Sequence, residues 1–97
     1  MKIDKNLSGD TLTVALHGSL DTTTAPLLSD ELKLDGVKTL AFDLSDLTYV
    51  ASAGLRVFLV AFETVRKAGG TMSFTGVQES VRKVFDLVGF SRVIPMS

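Results

Sequence analysis

Six residues, Thr39-Leu40-Ala41-Phe42-Asp43-Leu44, constrain the fold more than any other stretch. The run is too short and too uniformly apolar for a helix, and it suits a central strand of a sheet covered by other elements. A helix follows closely. Over residues 55–68, Leu55, Phe58, Leu59, Phe62 and Val65 fall at i, i+3, i+4, i+7 spacing, which puts them on one inward face ending at Gly69-Gly70. A buried strand feeding an apolar-faced helix is the unit of α/β sheets, so the flanking segments are expected to alternate in the same way.

They do. Residues 2–6 and 11–17 are short strands joined by the turn-like Leu7-Ser8-Gly9-Asp10, and Leu12, Val14 and Leu16 alternate against Thr11, Thr13, Ala15 and His17. This predicts an antiparallel hairpin. Gly18-Ser19-Leu20-Asp21 breaks the alternation, and Asp21-Thr22-Thr23-Thr24-Ala25-Pro26 has the small oxygen-bearing caps and early proline of a helix start. That helix is expected to reach about Leu34, with Leu27, Leu28, Leu32 and Leu34 inward. Residues 71–75 alternate as a strand, Val81, Val84, Phe85 and Val88 mark a third helix closed by Gly89, and residues 92–96 read as a last short strand with Pro95 at an edge. The order β-β-α-β-α-β-α-β predicts one α/β domain over residues 1–97, a mixed, mostly parallel sheet with an N-terminal hairpin and helices packed on it.

Charge and composition narrow the chemistry. Ten basic residues against eleven acidic ones leave no basic block, so no electrostatic footprint for nucleic acid is present. No apolar run approaches the roughly 20 residues that cross a bilayer, and Met1-Lys2-Ile3-Asp4-Lys5-Asn6 lacks the apolar core of a signal peptide. A cytoplasmic location without membrane association is the expectation. With no cysteine, His17 as the single histidine, and Asp43 with Asp46 lacking the pattern of a calcium loop, support for metal catalysis is weak, and neither GxxxxGK[ST] nor GxGxxG occurs. No cofactor is expected, and any ATP is expected to be held by another protein.

Ser52 then stands out, between the central strand and the second helix. Its hydroxyl can cap that helix by accepting a backbone N–H, or it can receive a phosphoryl group, since a helix N-terminus favours an anion. A third reading is a nucleophile elbow, but Val50-Ala51-Ser52-Ala53-Gly54 has valine where G-x-S-x-G needs its first glycine, and His17 is the single imidazole that could serve as base. Val57 and Val60 sit off the inward stripe, on the side shared with Arg56, Thr64 and Lys67. They pack under a loop, face water, or form a small partner-binding patch beside Ser52.

Three segments resemble STAS domains of the anti-sigma-factor-antagonist family. Gly18-Ser19-Leu20-Asp21 resembles G-x-[LV]-D. Asp43-Leu44-Ser45-Asp46-Leu47-Thr48-Tyr49-Val50-Ala51-Ser52-Ala53-Gly54-Leu55 resembles D-L-S-x-[LV]-x-[FY]-[IV]-D-S-[SAT]-G-L. Ala68-Gly69-Gly70 with Gly76-Val77 resembles A-G-G…G-V. The resemblance implies a non-enzymatic partner switch. The unphosphorylated antagonist binds an anti-sigma factor that is also a serine kinase of GHKL ATPase fold, phosphorylation ends the contact, and a metal-dependent serine phosphatase restores it. Ser52 matches the phosphoacceptor, Asp21 the aspartate near it and Gly54 the glycine that begins the helix. Ala51 stands where the family has aspartate and Ala53 where it has a second hydroxyl or a small residue. The expected partner-binding set is therefore Asp21, Ala51, Ala53 and Gly54 from the match, with Val57 and Val60 from helix geometry. A phosphorylation-independent interaction module is the alternative, and a monomer is the simplest assembly.

Overall fold

The computed structural model describes all residues, Met1–Ser97. The elements run β1 (Lys2–Ser8), β2 (Thr11–Leu20), α1 (Ala25–Glu31), β3 (Thr39–Val50), α2 (Ser52–Lys67), β4 (Thr71–Thr75), α3 (Glu79–Val88) and α4 (Phe90–Val93). The strands form one sheet in the order β1-β2-β3-β4, with β1 antiparallel to β2 and the other two pairs parallel. This is the α/β architecture expected from the alternation of strands and helices. The β1–β2 turn uses Gly9 at φ 62°, a left-handed conformation that glycine adopts without steric cost.

Strand alternation gives the sheet two unlike faces. Leu12, Val14 and Leu16 of β2, Leu40, Phe42 and Leu44 of β3, and Met72 and Phe74 of β4 are buried toward the helices. On the other face Thr13, Ala15, His17, Ala41, Asp43, Ser73 and Thr75 remain at least partly exposed. The helices thus cover one side of the sheet, and β3 is central in order but buried on one face. A chain of rings ties the layers together: Phe58 of α2 lies 5.1 Å from both Phe42 and Phe74, Phe74 stacks on Phe85 of α3 at 4.8 Å, and Phe85 meets Phe90 at 5.4 Å. Aromatic pairs at these separations add to the energy of simple burial.

Several boundaries differ from expectation. β2 continues through Gly18 and Ser19 to Leu20 because the break in alternation is a pair of register shifts, one between Ala15 and His17 and one between Gly18 and Ser19. β3 runs six residues past Leu44 for the same reason. Helix α1 stops at Glu31: Ala25 and Leu28 are its buried positions, Leu32 is already extended, and Leu27 is exposed. On α2 the buried stripe is Gly54, Phe58, Ala61 and Val65, while Leu59 faces outward. Val81 and Phe85 are buried on α3, and Val88 is exposed. The final strand is replaced by the short helix α4, which carries Phe90 against Phe85 and leaves Ile94 in the core. Beyond it the chain makes a single parallel bridge, Met96 to Phe74, because Pro95 offers a carbonyl to the Phe74 amide and no N–H in return.

Candidate functional site

Strands β2 and β3 finish side by side, Leu20 paired with Val50, and the Ala51 amide donates to the Leu20 carbonyl at 2.8 Å. Helix α2 begins at the next residue. Ala51 is its N-cap, extended at φ −95° and ψ 172°, and its carbonyl accepts from the Gly54 and Leu55 amides at 2.9 and 3.1 Å. The capping role expected of Ser52 is therefore corrected. Because Ala51 is held in strand geometry by Leu20, the first helical residue is Ser52, and no side chain caps the helix. The Ser52 side chain is exposed, and the amides of Ser52 and Ala53 have no acceptor within the helix. No acidic residue occupies the first turn.

Gly54 makes this arrangement possible. It is buried, and a Cβ there would lie 2.6 Å from Leu20 Cγ and Cδ2 and 3.0 Å from Val50 Cγ2. The missing side chain lets α2 rest directly on the two strand ends, which fixes the height of Ser52 above the sheet.

Asp21 follows Leu20 as Ala51 follows Val50, so the adjoining strand ends bring its loop beside the start of α2. Its Oδ1 accepts from the Thr23 and Thr24 amides at 2.9 and 3.0 Å and from the Thr23 hydroxyl at 2.7 Å. The Thr23 hydroxyl contributes most and the two amides next in lowering its pKa to about 2. Thr24 Oγ1 in turn accepts from the Asp21 amide and donates to the Ser19 carbonyl, both at 2.8 Å. Asp21 is thereby the anchor of the turn that launches α1. Thr23 and Thr24, expected from the sequence as oxygen-bearing caps of the helix start, instead close this turn on Asp21, and the Thr24 side chain makes no cap hydrogen bond.

Between α1 and α2 lies a groove of about 450 Å³ whose lining includes Pro26, Leu32, Ala53, Arg56, Val57 and Val60. Val57 is half-buried against the core, and Val60 is exposed. The structure thus gathers Ser52, Ala53, Val57 and Val60 along one helix, with Asp21 and Ala51 at its foot and Gly54 beneath it.

His17 is not part of that grouping. It lies on the open face of the sheet, where Nδ1 is 2.8 Å from Asp46 Oδ2 and Nε2 is 3.0 Å from Asp4 Oδ2. The hydrogen bond to Asp46 is the largest cause raising its pKa. Both ring nitrogens are engaged by carboxylates, so neither serves Ser52 as a base, and the hydrolase arrangement fails on geometry.

Residues 2–97 match the family model described as the STAS domain. The chain belongs to the STAS family. An anti-sigma-B factor antagonist of Bacillus subtilis strain 168 is 28% identical over 99 residues, spanning 100% of this STAS domain and 91% of the relative. One of the same description from Listeria monocytogenes is 29% identical over 93 residues, covering 93% and 82% of the two chains. Among solved structures, the anti-sigma factor antagonist SpoIIAA in its unphosphorylated form superimposes with a TM-score of 0.87 at 18% identity, covering 99% of this chain and 88% of the other. The phosphorylated form of SpoIIAA, a Bacillus cell-fate determinant, gives 0.80 at 17% identity, covering 99% and 91%. These superpositions establish the shared fold. No helix of this STAS domain is long and apolar enough to cross a membrane.

Proposed function

We propose that this STAS domain is an anti-sigma factor antagonist acting as a non-catalytic partner switch in the cytoplasm. Unmodified and monomeric, it binds an anti-sigma factor that is also a GHKL-fold serine kinase, and the kinase's client is released. The kinase then moves the γ-phosphoryl group of ATP to Ser52 Oγ; ADP leaves, the hydroxyl proton is lost, and the contact ends. A metal-dependent serine phosphatase hydrolyses the phosphoserine and resets the switch. The supporting observation is the placement of Ser52: an exposed hydroxyl at the first position of a helix seated on two strand ends, with free amides and no acidic neighbour in its turn. A phosphate there gains the helix dipole and adds nearly two negative charges to the surface a partner must cover.

The partner's footprint in this reading runs from Ala51 and Ala53 along Val57 and Val60. Asp21 and Gly54 act on it by positioning, the one by fixing the neighbouring loop and the other by seating α2. Ala51 in place of the family's aspartate favours a second reading, binding that does not depend on phosphorylation. Intact mass after incubation with the cognate kinase and ATP separates the two, because a gain of one phosphate, absent in Ser52→Ala, is expected of the switch alone. Ser52→Ala is expected to retain kinase binding and Ser52→Asp to weaken it by more than about 1 kcal/mol, the scale of a charge left uncompensated in an interface. Equal affinity of the two variants would refute the switch.

A further inference from the structure

Arg56 lies one helical turn beyond Ser52 on α2, so the two side chains leave the helix on the same face. Helical side chains lean toward the N-terminus, so a rotamer of Arg56 that follows this lean reaches over the first turn, within range of a group on Ser52. Arg56 also lines the groove between α1 and α2, where it is the one basic residue and Asp35 the one acidic residue. It is exposed and takes part in none of the ion pairs of the molecule. A lone cation thus stands within one turn of the exposed hydroxyl and at the edge of the groove.

We propose that Arg56 reads the state of Ser52: its guanidinium clamps a phosphate on Ser52 Oγ and is thereby withdrawn from the groove, where it otherwise meets a carboxylate of the bound partner. This rests on the reading of Ser52 as a phosphoacceptor and adds how the phosphate is sensed. Guanidinium and phosphate match as a two-point, charge-assisted pair, stronger than a neutral hydrogen bond. The free amides of Ser52 and Ala53 supply the remaining donors to the same phosphate. Phosphorylation then acts on the partner twice. It introduces negative charge at the start of α2 and removes the one positive charge of the adjoining groove. Asp35 remains, so the groove changes from balanced to net negative.

The experiment uses the full chain with phosphoserine genetically encoded at position 52, which requires no kinase. The second ionisation of the phosphate is followed by phosphorus NMR in the parent protein, in Arg56→Gln and in Arg56→Lys. The nearby acidic groups, Asp21 at the adjoining strand end and Asp35 across the groove, are the same in all three. Arg56→Gln is expected to raise the phosphate pKa by about 0.4, the effect of an exposed one-turn ion pair strengthened by a multiply charged partner. Arg56→Lys is expected to recover part of that change, since it keeps the charge and loses the two-point geometry. An identical titration with and without Arg56 overturns the clamp. Affinity for the cognate kinase tests the withdrawal: Arg56→Gln is expected to weaken the unphosphorylated protein severalfold and to narrow the gap between its two forms, and an unchanged gap overturns it. A phosphorylated parent protein that binds its kinase undiminished would refute the partner switch while leaving the clamp measured by NMR in place.

Discussion

Replacing Phe58 with alanine is expected to separate α2 from the sheet it rides on. Phe58 is fully buried, sits 5.1 Å from the rings of Phe42 and Phe74 in edge-to-face geometry and 5.9 Å from Phe85, and joins β3, β4 and α3 through one side chain. Truncation of a buried phenylalanine costs about 3–5 kcal/mol, and loss of three ring contacts in a site walled by strands that cannot collapse inward puts this case near 4 kcal/mol. A domain of this size has about 5–15 kcal/mol in total, so one substitution removes a large share. Urea unfolding followed by circular dichroism is expected to show that loss, with a melting temperature lower by roughly 15–30 °C. Phe58→Leu, which keeps an apolar side chain in the site, is expected to cost less than half as much and to bind the partner normally once folded. A loss below about 2 kcal/mol for alanine, or equal losses for alanine and leucine, would refute the claim that the aromatic stack holds α2 in place.

Two further substitutions probe the two faces of the sheet. Gly54→Ala is expected to destabilise by about 1 kcal/mol: alanine's better helix propensity offsets part of an overpacking cost set by the immobile, fully buried Leu20. A thermal melt showing a gain in stability would contradict the close seating of α2. His17, whose folded-state pKa is raised chiefly by Asp46, contributes stability that is complete below about pH 6.5 and is lost as pH rises through the higher folded-state value. Urea midpoints are expected to fall with pH above that range in the parent protein relative to His17→Gln, and parallel pH profiles would exclude the Asp4–His17–Asp46 bridge as a source of stability.

The fold was legible where burial follows a simple period. Leu12, Val14 and Leu16 alternate and are all buried, and Phe58 and Val65 fall inward on the expected helix face. The second half of β3 was not legible because its buried residues, Leu44, Leu47 and Val50, recur every third position and mimic neither a strand nor a helix. The cause is local. Asp43 Oδ1 accepts from the Ser45 amide at 3.0 Å and the Ser45 hydroxyl at 2.7 Å, folding a bulge into the strand, while β2 shifts register opposite it. Gly76, at φ 66°, packs against Ser45 where a Cβ would come within 2.8 Å of the Ser45 Cβ, and Gln78 donates to the Ser45 carbonyl at 2.8 Å. A bulge begun by Asp43 and buttressed by Gly76 and Gln78, far along the chain, leaves no trace in a local pattern. The start of α2 was obscured for a related reason, since Ser52, Ala53 and Gly54 show no apolar periodicity and the helix is seated there by Gly54 against Leu20 and Val50. Ser52 itself was recognisable from its motif, whereas the groove formed by α1 and α2 requires two helices that sequence places without orienting.

The hydrogen bond from Ala51 to Leu20 puts Ser52 one residue beyond the last rung of the central parallel pair. Such a position has little freedom to relay a conformational wave: behind it stand a strand end, a glycine contact with no slack and a stack of aromatic rings. Whatever happens chemically at that hydroxyl is displayed on an unyielding mount. A charge placed there would act as a change of surface, with the backbone behind it held by the Leu20 and Val50 contacts of Gly54.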